Sequence, residues 1–251
     1  MRLELETRRF YLGRDYADAV EGLGGLPVHI PLIPNKGYIA NLFEELDGIL
    51  LPGCDSDVDP FYYGEDPHPK LKKVVPEKDE TDMIVLGEAE RLNLPVLAIC
   101  YGMQVLNVHR GGSLIQDIQS QVQNCIQHEQ SGPLARNSHA ISIGRDNILS
   151  RLAGTETPSE KIRVNSHHHQ AIRTTGRDLS SIAWANDGII EGIEDTRPER
   201  FVLGVQWHPE LTWNSDRFSR RIFETFVNKC AEAAASRRSA LTGVPQGLTL
   251  V

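Results

Sequence analysis

Cys100 has the clearest chemical setting in the chain. It stands between the apolar run PVLAI (95–99) and a helical pattern that stops at Gly111-Gly112, and Gly102 lies two positions on. A strand passing straight into a helix forces the linking residue into a tight turn that pushes one side chain outward, and a nearby glycine leaves room for it. The side chain here is a thiol at a helix N-terminus, where unpaired N–H groups and the helix dipole favour thiolate. The same N–H groups can hold an oxyanion. Taken alone, the pattern fits a small buried hydrophobe equally well, the usual fate of a free cysteine. A nucleophile needs a base.

His208 is the best placed of nine histidines, because it follows directly on the apolar run FVLGVQW (201–207) and so sits at a strand end. Pro209 biases it toward extended backbone, and residues two apart in an extended chain point the same way. Glu210 can then reach one imidazole nitrogen and leave the other for Cys100. Nucleophile, base and orienting carboxylate are the parts of a triad. An isolated His-Pro-Glu is as a rule a solvated turn, but two strand-end signals together favour the enzymatic reading.

The elements that must position these residues follow from periodicity. LPVHIPL (26–32), GILLPG (48–53) and PVLAI (95–99) are short apolar runs closed by Gly or Pro, which predicts strands of a parallel sheet covered on both faces. Helical patterns at YADAVEGLGG (16–25), YIANLFEEL (38–46) and from Pro76 to Asn93 alternate with them, the order of an α/β fold. In the second half HAISI (139–143), KIRVNS (161–166), SSIAWA ahead of Asn186, and GIIEGIED (188–195) are close-set strands. They predict a smaller antiparallel addition to a mostly parallel central sheet. Residues 216–238 read as a helix with Phe218, Ile222, Phe226 and Val227 on one stripe, and 239–251 as a loose tail, so 1–238 is expected to form one domain.

With 251 residues, 40% of them hydrophobic, the chain can bury a full core without a disulfide or metal staple. Its net charge of −8 is opposite in sign to a nucleic-acid footprint. No apolar run approaches the roughly 20 residues that span a bilayer, so no membrane partner is expected. The charged opening MRLELETRRF is no secretory signal, which makes the cytoplasm the expected location. Cys54, Cys100, Cys125 and Cys230 form no C-x-x-C pair and are expected as free thiols. Asp55-x-Asp57-x-Asp59 begins like a calcium loop, but Pro60 and Asp66 stand where Gly and Glu are needed. The run His167-His168-His169 lacks the helical i, i+4 spacing of a zinc motif. Neither metal nor cofactor is expected.

Four segments, LLPGCDSDVDPFYYGEDP (50–67), LAICYGMQVLNVHRGGSLIQDI (97–118), VNSHHHQAI (164–172) and GVQWHPE (204–210), resemble the motifs of class I glutamine amidotransferase-like hydrolases. The chain is most similar to their γ-glutamyl-γ-aminobutyrate hydrolase branch, peptidase family C26, from about Tyr11 to Val227. The resemblance implies a flavodoxin-like fold and a Cys-His-Glu triad at Cys100, His208 and Glu210. It implies cofactor-free hydrolysis of a small γ-glutamyl amide through a thioester. It further implies an oxyanion hole at Gly53, Cys54 and Tyr101, and substrate contacts from Gln104, His128, Asn165, Ser166, His168 and Gln170. A homodimer is left open.

Three positions depart from the family pattern. Gly53-Cys54 replaces a Gly-Gly pair, and Tyr101 replaces an arginine, which would bear on the leaving amine that fits. The buried Ile-Gly-Ile strand that opens the family has no match. Either RLELE stands in for it or the chain begins further upstream, and losing a central strand would strip its neighbours of a pairing partner. Two other readings stand beside the hydrolase: a glutaminase subunit that passes ammonia to a synthetase, and a γ-glutamyl-binding protein without catalysis.

Overall fold

The computed structural model describes residues 2–4, 9–154 and 162–242. β1 (Arg2–Glu4) and β2 (Arg9–Tyr11) form a separate antiparallel hairpin. Then come α1 (Arg14–Glu21), α2 (Lys36–Phe43), β3 (Ile49–Leu51), α3 (Pro76–Arg91), β4 (Val96–Ile99) and α4 (Tyr101–His109). β5 (Ser113–Ile115), α5 (Ile118–Gln121), β6 (His139–Ile143), α6 (Ile148–Ala153), β7 (Ile162–Val164) and β8 (Ala171–Thr174) follow. β9 (Leu179–Ala185), β10 (Ile190–Asp195), β11 (Val202–Val205) and α7 (Arg217–Thr242) complete the order.

Local chemistry explains several boundaries. Pro76 opens α3 with Glu77 and Asp79 in its first turn, and the Asn35 and Asn147 side chains cap α2 and α6. Of the stripe expected on α7, Ile222 and Phe226 are buried and Phe218 and Val227 half-buried, and Phe223 is buried beside them. That helix continues past Arg238 to Thr242, and residues 243–251 of the expected tail lie outside the described residues.

The main sheet runs β3-β4-β11-β10-β9-β6-β7. β3, β4 and β11 pair in parallel, and every later neighbour is antiparallel. Alternate residues of β4 serve two apolar clusters. Val96 and Ala98 pack with α2, α3 and α4, while Leu97 and Ile99 pack with α1 and α7. The parallel core is therefore the middle layer of a flavodoxin-like α/β/α arrangement, and β4 delivers Cys100 at its end. β5 and β8, unmarked by apolar periodicity, pair separately beside it.

One expectation fails at the sheet's edge, and one open alternative finds no support there. Residues 26–32 form no strand, and Leu26 is 90% exposed. Within RLELE the described residues Arg2–Glu4 pair with β2 and not with the main sheet, and residues 5–6 lie outside the described residues. The cause is one missing neighbour. Among the described residues β3 is paired only with β4, and a cavity of about 520 Å³ is lined both by its residues and by the 26–32 segment. With no strand between them, the apolar run at 26–32 has no ladder to join.

Gly102 sets how closely α4 can lie on β3. A Cβ there would come within 2.2 Å of the Leu51 carbonyl oxygen, a backbone atom that cannot step aside. Gly102→Ala should destabilise the protein by at least about 1–3 kcal/mol, the usual cost of overpacking. Gly87→Ala, where nothing lies within 4 Å of an added Cβ, should stabilise α3. Urea unfolding of the two variants measures both, and equal midpoints would contradict the close approach.

Candidate active site

Cys100 adopts φ 53 and ψ −109, a conformation costly for any residue with a side chain. Its N–H donates to the Val205 carbonyl at 2.8 Å, and its carbonyl accepts from the Gln104 N–H at 3.1 Å. The strained residue is thus held by β11 on one side and by α4 on the other. The expected elbow is present. A cavity of about 430 Å³ opens above it, lined among others by Cys54, Gln104, His168, Gln170, His208 and Glu210.

His208 follows β11, but the backbone is not extended beyond it: Pro209–Leu211 is one turn of 3-10 helix. The turn, rather than strand alternation, brings Glu210 round, so that Oε1 lies 2.7 Å from His208 Nδ1. Cys100 and this ring line the same cavity. Burial works against an imidazolium here, but the Glu210 carboxylate and the Cys100 sulfur outweigh it and hold His208 well above the usual histidine range. The main chain of His208 is fixed separately. The Asn165 side-chain amide donates to the His208 carbonyl at 2.9 Å and accepts from the His208 N–H at 2.8 Å.

Tyr16, from α1, was not legible as a site residue. Its hydroxyl accepts the Gly53 N–H at 3.0 Å. Burial, then the nearby Glu210 carboxylate, pushes its phenol well above the usual range, which leaves a proton to direct at Glu210. Only its place on the buried face of α1, beside Ala19, could have drawn attention to it.

The remaining expected residues separate into two groups. Cys54, Gln104, His168 and Gln170 line the cavity. Gln104 is held by the Gln170 carbonyl at 3.3 Å and Gln206 Oε1 at 3.2 Å. Asn165 and Ser166 do not line it: the first grips His208, and the second donates to the His128 carbonyl at 2.6 Å. His128 is buried behind the cavity wall against Asp187 and Glu191. Gly53 lends its N–H to Tyr16, so that donor is already engaged.

Tyr101 also departs from expectation. Its side chain turns into the core, 1% exposed, hydrogen-bonds the Asp79 carboxylate and lies under the Lys78 ammonium at 4.2 Å from the ring centroid. It cannot select a leaving amine from there. Asp57, from the calcium-like run, has its two oxygens taken by His169 Nε2 at 2.8 Å and the Lys72 N–H at 2.6 Å.

The family model for peptidase C26 matches residues 3–210. The chain belongs to the peptidase C26 family. A glutamine amidotransferase-like protein of Lactococcus lactis, YvdE, is 38% identical, with 87% of this chain and 88% of that protein covered. The γ-glutamyl-γ-aminobutyrate hydrolase PuuD of Escherichia coli K12 is 32% identical over 90% of this chain and 89% of its own. Among solved structures, a GMP synthase protein from Thermoplasma acidophilum aligns with a TM-score of 0.60 at 18% identity, covering 89% of this chain and 90% of the other. The glutaminase domain of Trypanosoma brucei CTPS, with bound acivicin, gives the same score at 15% identity, covering 87% of each. At those identities the likeness is one of fold. The C26 chain is accordingly a glutamine amidotransferase-like hydrolase, and among its described residues no helix is long and apolar enough to cross a membrane.

Proposed function

We propose that the protein hydrolyses a γ-glutamyl amide of a small amine, with Cys100 as nucleophile, His208 as acid and base, and Glu210 as the carboxylate that orients it. The observation that carries this reading is a thiol held in a strained turn on a cavity that it shares with an imidazole, whose Nδ1 is 2.7 Å from a buried carboxylate. The E. coli relative named for γ-glutamyl-γ-aminobutyrate makes that amide the first substrate to test.

In this reading the Cys100 sulfur attacks the γ-carbonyl carbon, and backbone amides at Cys54 and Tyr101 receive the oxyanion, because Gly53 is engaged by Tyr16. His208 passes its proton to the departing nitrogen as the C–N bond breaks. Water then attacks the thioester, His208 takes its proton, and glutamate leaves as the sulfur is restored. Gln104, His168 and Gln170 supply the polar cavity wall against which the glutamyl end is held.

A panel of γ-glutamyl amides tests the proposal directly: γ-glutamyl-γ-aminobutyrate, γ-glutamyl conjugates of other small amines, and glutamine. Glutamate release from at least one amine conjugate, with incubation with a glutamine-like thiol electrophile placing the label on Cys100, is the expected result. Turnover of glutamine alone would favour a glutaminase, and labelling at Cys54 instead of Cys100 would overturn the assignment of the nucleophile.

A further inference from the structure

Behind the cavity wall lies a buried polar cluster of which the proposed reaction uses only His168, as part of that wall. Glu191 of β10 is fully buried, and three histidines from distant parts of the chain converge on it. His139 Nε2 of β6 is 3.1 Å from Glu191 Oε1, His128 Nδ1 is 3.3 Å from it, and His168 Nε2 is 3.6 Å. His128 and His168 are 3% and 4% exposed.

The outer hydrogen bonds decide what the inner nitrogens present. His128 Nε2 lies 2.9 Å from Asp187 Oδ2, and Asp187 also accepts backbone N–H groups from Ile126 and Ile189, so it stands toward the ring as an acceptor. His168 Nδ1 lies 2.8 Å from the Gln170 carbonyl oxygen, another acceptor. Each ring in its neutral form therefore carries its hydrogen on the outer nitrogen and turns a lone pair toward Glu191. His128 Nδ1, His168 Nε2 and Glu191 Oε2 are all buried without a hydrogen-bond partner among the described residues. Three electron-pair donors that face one another repel, unless a proton or a metal cation sits between them.

The spacing fits such a cation. One donor atom from each of the three residues falls within 4.8 Å of the other two. Tetrahedral zinc with bonds of about 2.0–2.1 Å places neighbouring ligand atoms about 3.3 Å apart, which is close to the separations measured from Glu191. Two imidazoles and one carboxylate are a donor set for zinc-class ions, whereas calcium and magnesium call for oxygen ligands throughout. Asp187, the Gln170 carbonyl and His139 are already placed as the outer partners that orient metal ligands.

We propose that His128, His168 and Glu191 bind one divalent transition-metal ion of the zinc class. The histidine run 167–169 contributes only its middle residue, and the other two ligands come from far along the chain. His168 also lines the cavity above Cys100, so the ion would brace one wall of that cavity from behind. It has no part in the hydrolytic steps.

The test uses the full chain carrying Cys100→Ala, which removes the thiol as a competing ligand, stripped with a chelator and then titrated with cobalt(II) and zinc(II). One equivalent of cobalt with tetrahedral d–d absorption, displaced by zinc, is the expected result. Glu191→Gln and His128→Ala should each abolish stoichiometric uptake. Should either fail to fold by circular dichroism, Asp187→Asn, which leaves the ligands intact, should weaken affinity by about 10–100-fold. Absence of stoichiometric binding, or binding that persists unchanged in folded Glu191→Gln or in Asp187→Asn, would overturn the site in favour of a purely hydrogen-bonded cluster.

Discussion

Cys100→Ala is expected to lower kcat for γ-glutamyl amides by about ten-thousand-fold or more, the scale at which loss of a nucleophile is felt in triad hydrolases. The same change should leave the melting temperature nearly unaltered. Cys100 sits at φ 53, where the steric cost comes from carrying a Cβ at all, and alanine carries one too. The strain and the two flanking hydrogen bonds, from Cys100 N–H to Val205 and from Gln104 N–H to Cys100, belong to the backbone and survive. What disappears is the sulfur and, with it, one of the two partners that keep His208 protonated. Steady-state kinetics beside thermal unfolding separates the two effects. Near-normal turnover in a folded variant would remove the thiol from the chemistry.

Glu210→Gln is expected to cost about a hundred- to ten-thousand-fold in kcat with KM little changed, because the carboxylate acts on the imidazole and not on substrate. A Gln amide can donate as well as accept, so it can stabilise the wrong imidazole tautomer against Nδ1. The charge matters in addition. His208 is held above its ordinary range against burial chiefly by this carboxylate, so the neutral substitution should let its pKa fall. The imidazolium then survives over a narrower range, and the alkaline limb of the kcat profile should move to lower pH. A profile unchanged in both height and limb would show that Glu210 is a bystander.

The elbow at Cys100 was legible because its determinants are local: a buried strand, a thiol, a glycine two residues on and a helix. The pairing of His208 with Glu210 was legible as residues but not as backbone, since the 3-10 turn at Pro209–Leu211 achieves what an extended chain was expected to do. Tyr101 misled because residue type says nothing about which way the first side chain of α4 points. The cluster around Glu191 could not be read at all, for it exists only once β6 and β10 share a sheet and the 128 and 168 loops fold over them. The failed strand at 26–32 has the same origin: apolar alternation specifies a willingness to pair, and pairing also needs a neighbour.

Asn165 has a consequence for how the two halves of the chain meet. Its carboxamide has the donor and acceptor of a peptide unit, and it offers both to the main chain of His208, three residues beyond the end of β11. In effect a single side chain imitates one rung of an adjacent strand where the sheet has run out. Asp would lose the donor, and an aliphatic residue would lose both contacts, so the constraint at this position is chemical and not a matter of size. The imidazole keeps its station through a surrogate for secondary structure, contributed by the loop after β7.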